Sequence, residues 1–221
     1  MPTTDTKDTI LDAAEALFAE QGFAATSLRQ LTQRAGVNLA AVNYHFGSKD
    51  ELVKAVLRRR IEPINAERVR RLDAMAPPTL EGIVRAFVEP ALRAIATSGT
   101  SPDGQAAGLA RIFGRISVEQ PPFLRGFFAE QFGELGRRFV AMLQEAAPGI
   151  DAETTWLRMH FTVGAMAHTL QSAHMLTQVS GGACRIDDPD ELAEQLVAYA
   201  VGGFAGRDRD RPAHNGPEAH R

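Results

Sequence analysis

The chain has one cysteine, Cys184, among 221 residues, so no intramolecular disulfide can form. Cys184 reads as a reduced loop thiol rather than a redox sensor, because only Arg185 beside it would favour a thiolate. No run of about 18 apolar residues occurs, so no transmembrane helix is expected. The first ten residues, MPTTDTKDTI, have no apolar core of a secretory signal. A cytoplasmic location follows as the expectation. Strand-like alternation and internal repeats are missing, which points to an all-α chain. A nucleophile elbow, a phosphate-cradling loop and a metal-ligand set are missing too, so no enzyme, catalytic residue, cofactor or metal site is expected. His160, His168 and His174 do not change this. Neither neighbouring pair has the i, i+4 spacing by which one helix face holds zinc.

The chain is also poor in positive charge. Its net charge is −3, which taken alone argues against a nucleic-acid partner. The distribution argues otherwise. Between Thr26 and Arg60 lie Arg29, Arg34, Lys49, Lys54, Arg58, Arg59 and Arg60 against Asp50 and Glu51, a local +5 that leaves −8 for the remainder. A basic patch on an acidic body suits one small nucleic-acid face.

What is present is helical periodicity, punctuated by caps. Ile10, Leu11, Ala14, Leu17 and Phe18 fall on one helix face, and Gly22 ends that helix. Ser27 with Gln30 forms a capping box for a second helix that buries Leu28, Leu31 and Ala35 and stops at Gly36. Asn38 caps a third, Leu39 to His45. Ser48 caps a fourth, with Asp50 and Glu51 in its first turn, expected to reach Met75. Pro77-Pro78 breaks the chain. A fifth helix starts at Thr79 and is kinked or ended near Pro90, 99–104 is a loop, and a sixth helix covers 105–119. A seventh opens after Pro121-Pro122 and closes before Pro148-Gly149, an eighth spans 152–179, and a ninth runs from Asp188-Pro189 to about Gly202. The expected organisation is a helix-turn-helix domain over 1–50, a connecting helix over 51–76, a ligand-binding and dimerisation domain over 77–205, and a disordered polar tail over 206–221.

The stretch Ser27–Phe46 has the form of a DNA reader. A helix enters the major groove only if its leading face is small or carries hydrogen-bonding groups. The third helix offers Asn38, Leu39, Ala40, Ala41, Asn43, Tyr44 and His45, while Val42 and Phe46 point inward. Ala40 and Ala41 permit close approach and contact with thymine methyls. Asn43 suits either an adenine edge or a phosphate. Tyr44, His45, Lys49, Ser27 and Arg29 lie where phosphates would run. Spacing alone also allows a plain three-helix bundle with these groups as ordinary surface.

The segments Ile10–Ala14, Leu17–Ala19, Gly22-Phe23, Thr26-Ser27, Leu31, Arg34–Val37, Tyr44–Lys49 and Leu52 resemble the DNA-binding domain of the TetR family of bacterial transcriptional regulators. The resemblance implies a homodimer on a palindromic operator, with a larger helical domain that binds a small effector. It also implies phosphate contact by Lys49 and DNA contact by Ser27 and Arg29. Many members carry a phosphate-contacting tyrosine where this chain has Asn43, with Tyr44 next to it. Residues 37–46, Glu145–Pro148 and the set Trp156, Arg158, His160, Phe161, Gly164 and Ala165 resemble the PsrA subgroup. That implies a fatty-acid or acyl-CoA effector.

Beyond Pro78 the chain is rich in phenylalanine and methionine. Phe87, Phe113, Phe128, Phe132, Trp156 and Phe161 are either ordinary core or the lining of an apolar cavity. Arg111, Arg115 and Arg158 each suit a ligand carboxylate or a local acid such as Glu119 or Glu130. His168 reads as a polar pocket wall or an interface residue. Ala165, Leu192, Leu196 and Tyr199 read as a face that a second copy would bury as a four-helix dimer. A DNA-binding dimer with no small effector, architectural or controlled by a protein partner, is the competing reading.

Overall fold

The computed structural model describes residues 5–96, 112–114, 116, 119, 121–186 and 188–206. Among these residues it contains eight bounded helices and no strand, so the chain is all-α as expected. Residues 112–114, 116 and 119 are also helical. The rest of the expected sixth helix, the 99–104 loop, Arg111, Arg115 and the tail beyond Gly206 lie outside the described residues.

Helix α1 (Thr6–Gln21) starts where the Asp5 carboxylate accepts from the Lys7 amide, and it buries Ile10, Leu11, Ala14, Leu17 and Phe18. Helix α2 (Leu28–Ala35) has the full capping box: Ser27 Oγ accepts from Gln30 N at 3.2 Å, and Gln30 Oε1 accepts from Ser27 N at 2.8 Å. Helix α3 (Leu39–Phe46) is capped by Asn38, whose Oδ1 accepts from Ala41 N at 2.9 Å. Between them Gly36 takes the left-handed conformation, φ 67° and ψ 28°. A Cβ built there meets nothing within 4 Å, so backbone strain alone sets the cost of a side chain. Gly36→Ala is expected to lower stability by about 1 kcal/mol, seen as an earlier urea midpoint at unchanged slope.

Helix α4 (Lys49–Asp73) runs without a break through Pro63. Helix α5 (Leu80–Ala96) likewise continues through the buried Pro90 to Ala96. One missing amide costs a single hydrogen bond, and packing of α5 against its neighbours outweighs it. Helix α6 (Leu124–Ala146) and helix α7 (Ala152–Val179) follow, the latter interrupted at Ser172, where φ is −116° and ψ 17°. Helix α8 (Pro189–Ala205) passes the expected stop at Gly202.

Two apolar clusters hold these helices. The first joins α1, α2 and α3 to the N-terminal half of α4 through Phe18, Leu31, Val42, Phe46, Leu52, Val56 and Leu57. It does not end at the expected domain boundary, since Ile112, Ile116, Leu124 and Phe127 complete it. Glu119 adds a polar tie by accepting from Ala24 N at 3.3 Å. The second cluster lies among α5, α6, α7, α8 and the C-terminal half of α4. Helix α4 therefore contributes to both cores.

Candidate DNA interface and effector cavity

At the N-terminal end, most side chains expected to face DNA separate from those that hold the helix, although Ala41 packs against the core. Val42 and Phe46 are buried. Ser27, Arg29, Asn38, Leu39, Ala40, Asn43 and Tyr44 are exposed, and Ala41, His45 and Lys49 are half-buried. Tyr44 is 86% exposed, and its ring meets that of His45 edge to face. Asn38 has its carboxamide oxygen committed to the α3 cap, so only its amide group is available to a partner. Lys49 Nζ lies 3.4 Å from the Ala24 carbonyl oxygen, beside the amino end of α4.

The local charge excess requires correction. Arg34 makes a two-pronged pair with Glu20 at 2.7 and 2.8 Å, Arg59 pairs with Asp12 and Glu15, Arg60 with Glu15, Lys54 with Glu51, and Arg58 with Glu62 and Glu130. Most of these acids lie outside the 26–60 window, so counting charges within it overstated the free cations. Among the described residues, Arg29 and Lys49 are the cations of this window without an ion pair. The Glu15–Arg59–Arg60 cluster instead fastens α1 to α4. Electrostatic attraction to DNA falls on fewer groups than the sequence suggested.

Farther along, a cavity of about 480 Å³ opens among α4, α5, α6, α7 and the helical residues Phe113 and Ile116. Its size is within the range of ~300–1,000 Å³ typical of small-molecule sites. Phe87, Phe113, Phe128, Phe132 and Trp156, expected as lining, are all on its wall, with Met159, Met166, Leu135 and Leu170. The Trp156 ring lies flush on Gly136, where a built Cβ would be 3.0 Å from it. Two expected lining residues are not on the wall. Phe161 is 59% exposed on the outer side of α7, and His168 is exposed away from the cavity. They are only two and one residues from Met159 and Ala167, which do face it, a rotation of about 200° and about 100° around the helix that turns them off the wall. Arg158 is not there either, since it donates to the carbonyls of Phe204 and Gly206 and caps the end of α8. Arg111 and Arg115 lie outside the described residues.

Sequence reasoning missed Arg68. It is 4% exposed and lines the cavity beside Asn65. Its position within ERVRR reads as a solvated charged run. Yet Leu57, Ile61, Ile64, Arg68 and Leu72 follow one helix face, and that spacing was the available signal.

The dimer expectation also needs correction. Leu196 is buried in the second core and Leu192 and Ala165 pack against it, because α8 lies along α5 within the same subunit. Leu196 is thereby taken up within the subunit, while Leu192 and Ala165 stay half-buried. Tyr199, 66% exposed, remains outside, and with Leu157 and Phe161 it forms an exposed apolar strip across α7 and α8. Among the described residues no group of three or more potential metal ligands converges, and no helix is long and apolar enough to cross a membrane.

Comparisons agree with this geometry. Residues 10–56 match the model described as bacterial regulatory proteins, tetR family, and residues 85–203 match the tetracyclin repressor-like C-terminal domain. A transcriptional repressor of the helix-turn-helix type from Mycobacterium tuberculosis is 47% identical over 68 residues, 31% of this chain and 34% of that protein. The matched stretch thus spans about a third of the length of such curated relatives. A TetR-like transcriptional regulator from Rhodococcus sp. RHA1 superposes with a TM-score of 0.66 at 22% identity, covering 94% of this chain and all of that one. The fatty acid degradation regulator FadR from Bacillus halodurans superposes with a TM-score of 0.67 at 14% identity, covering 94% of this chain. These two likenesses concern the fold alone.

Proposed function

The chain belongs to the TetR family of bacterial regulators, and on that footing we propose that it is a repressor whose grip on a palindromic operator is released by a small apolar effector. The single observation that carries the effector part is the 480 Å³ cavity walled by Ile61, Ile64, Asn65 and Arg68 of α4. The same helix carries Leu52, Val53, Val56 and Leu57 in the core of the DNA-binding end. A ligand that favours one placement of α4 therefore biases the placement of α3. The bias cannot exceed the difference in the ligand's affinity for the two placements.

A homodimer completes the reading. The strip of Leu157, Phe161 and Tyr199, beside a hollow floored by Gly202 and Gly203, suits burial against a second copy. Two copies of α3 would then address half-sites ~34–36 Å apart or a longer multiple. A fatty acid or acyl-CoA fits the apolar wall and remains the proposed effector class.

Two measurements test the proposal. Lys49→Ala is expected to weaken binding to every DNA sequence alike and to reduce the salt slope by about one, with Tyr44→Phe giving a smaller uniform loss. Unchanged affinity and slope in both variants would remove these residues from the interface. Fluorescence anisotropy of an operator fragment, titrated with acyl chains and acyl-CoA, should show release. A DNA-binding dimer under protein-partner control would hold the fragment throughout.

A further inference from the structure

We propose that Arg68 is the anion anchor of the cavity, holding the carboxylate of a ligand whose remaining body is apolar. This rests on the cavity being the effector site and adds the residue that would recognise the acid end of what enters it.

Arg68 is buried, yet among the described residues no carboxylate pairs with it. Its neighbours differ in this respect. Arg70 pairs with Glu67, and Arg71 pairs with Glu67 and Glu89. Arg68 is held instead by neutral groups. Nε donates to the Phe87 carbonyl oxygen at 3.0 Å, Nη1 donates to Asn65 Oδ1 at 3.2 Å, and the guanidinium lies 4.3 Å over the Phe87 ring. Asn65 is fixed in turn, because its Nδ2 donates to the Gln131 carbonyl oxygen at 2.9 Å and so turns Oδ1 toward Arg68. The guanidinium is thus positioned from three sides before any ligand arrives.

Among the described residues Nη2 has no hydrogen-bond partner. No buried side-chain nitrogen or oxygen among the described residues lacks a partner, so Nη2 opens onto the cavity. Burial lowers the Arg68 pKa to about 10, which still leaves it charged at neutral pH. A buried charge without a counterion is unfavourable, and an entering anion relieves it. The planar fork of arginine suits a carboxylate in particular. Apart from Asn65 and His160, the rest of the wall, including Ile61, Phe113, Leu135, Met159 and Leu170, offers apolar contact. An amphipathic acid matches both parts, and its charged end would bind directly to α4.

Trp156 is the chain's single tryptophan and lies on the cavity wall, so its fluorescence reports occupancy. The probes are dodecanoate and dodecan-1-ol, used below micelle-forming concentrations, on the wild type, Arg68→Met and Arg68→Lys. The wild type is expected to bind dodecanoate at least ~10-fold more tightly than the alcohol. Arg68→Met should bind the two alike, keep its affinity for the alcohol, and melt no lower than the wild type, because it removes an uncompensated charge. Arg68→Lys should keep part of the preference. A wild type that binds both probes equally, or an Arg68→Met variant that retains the preference, overturns the anchor while leaving the cavity in place. If neither probe perturbs Trp156 in the wild type, the anchor and the effector site fall together.

Discussion

Ala40→Glu is expected to reduce operator affinity by about 100-fold or more while leaving the melting temperature within a degree or two. Ala40 is exposed in the first turn of α3, beside the exposed Leu39 and opposite the buried Val42 and Phe46. A carboxylate there meets the phosphate backbone and base edges across a helix that must approach closely, and like-charge juxtaposition costs several kcal/mol, on the order of 3. The fold has no stake in the position, since exposed substitutions typically stay within ~0.5 kcal/mol. Circular dichroism melts with anisotropy titrations separate the two effects. An Ala40→Glu variant that binds normally would mean that the face of α3 carrying Ala40 does not enter a groove.

Glu89→Ala is expected to have the largest effect on stability, about 3 kcal/mol and therefore roughly 10 °C in melting temperature. Glu89 lies on α5, is nearly buried, and receives hydrogen bonds from Arg71 of α4 at 2.6 Å and Arg85 at 2.9 Å. Arg85 also reaches Glu194 of α8, so one carboxylate helps to fasten three helices. Removing it takes from two partly buried cations their most buried acceptor. The expected loss is at the low end for a broken buried pair because Glu67, Glu81 and Glu194 still serve the arginines.

The same group sets a pH dependence. Burial pushes the Glu89 carboxyl up, but hydrogen bonds from Arg71 and Arg85 outweigh it and hold the carboxyl below its ordinary value of 4.5. A carboxyl depressed in the folded state stabilises fully above that ordinary value, and the contribution is lost as pH falls through the lower folded value. The gap between wild type and Glu89→Ala should be full at pH 7 and narrow below pH 4. Denaturant melts at pH 7, 5 and 3.5 read this out, and a gap that grows on acidification would contradict the assignment.

The α4 segment shows how far local pattern could reach. Its start was legible because Ser48 caps it through a bond three residues long, Glu51 N to Ser48 Oγ at 3.1 Å. Its run past Pro63 to Asp73, close to the expected Met75, was legible too, but the course of α5 through Pro90 was not, because the packing that outweighs a missing amide comes from other helices. Arg68 illustrates the harder case. Its charge argues for solvent and its spacing argues for core, and only the neighbours on α5 and α6 decide between them.

By itself the sequence determined the all-α class, the caps and stops of α1 to α4, the inward Val42 and Phe46, and the outward face of α3. These depend on contacts within a few residues, where residue type and helical period are sufficient. The tertiary structure decided which cations are free, which arginine faces the cavity, and which side of α7 and α8 is left exposed. Glu15 is 44 residues from Arg59, and Glu194 is 109 from Arg85. Pairings at such separations leave no local trace, because they are set by how helices pack rather than by how each one forms.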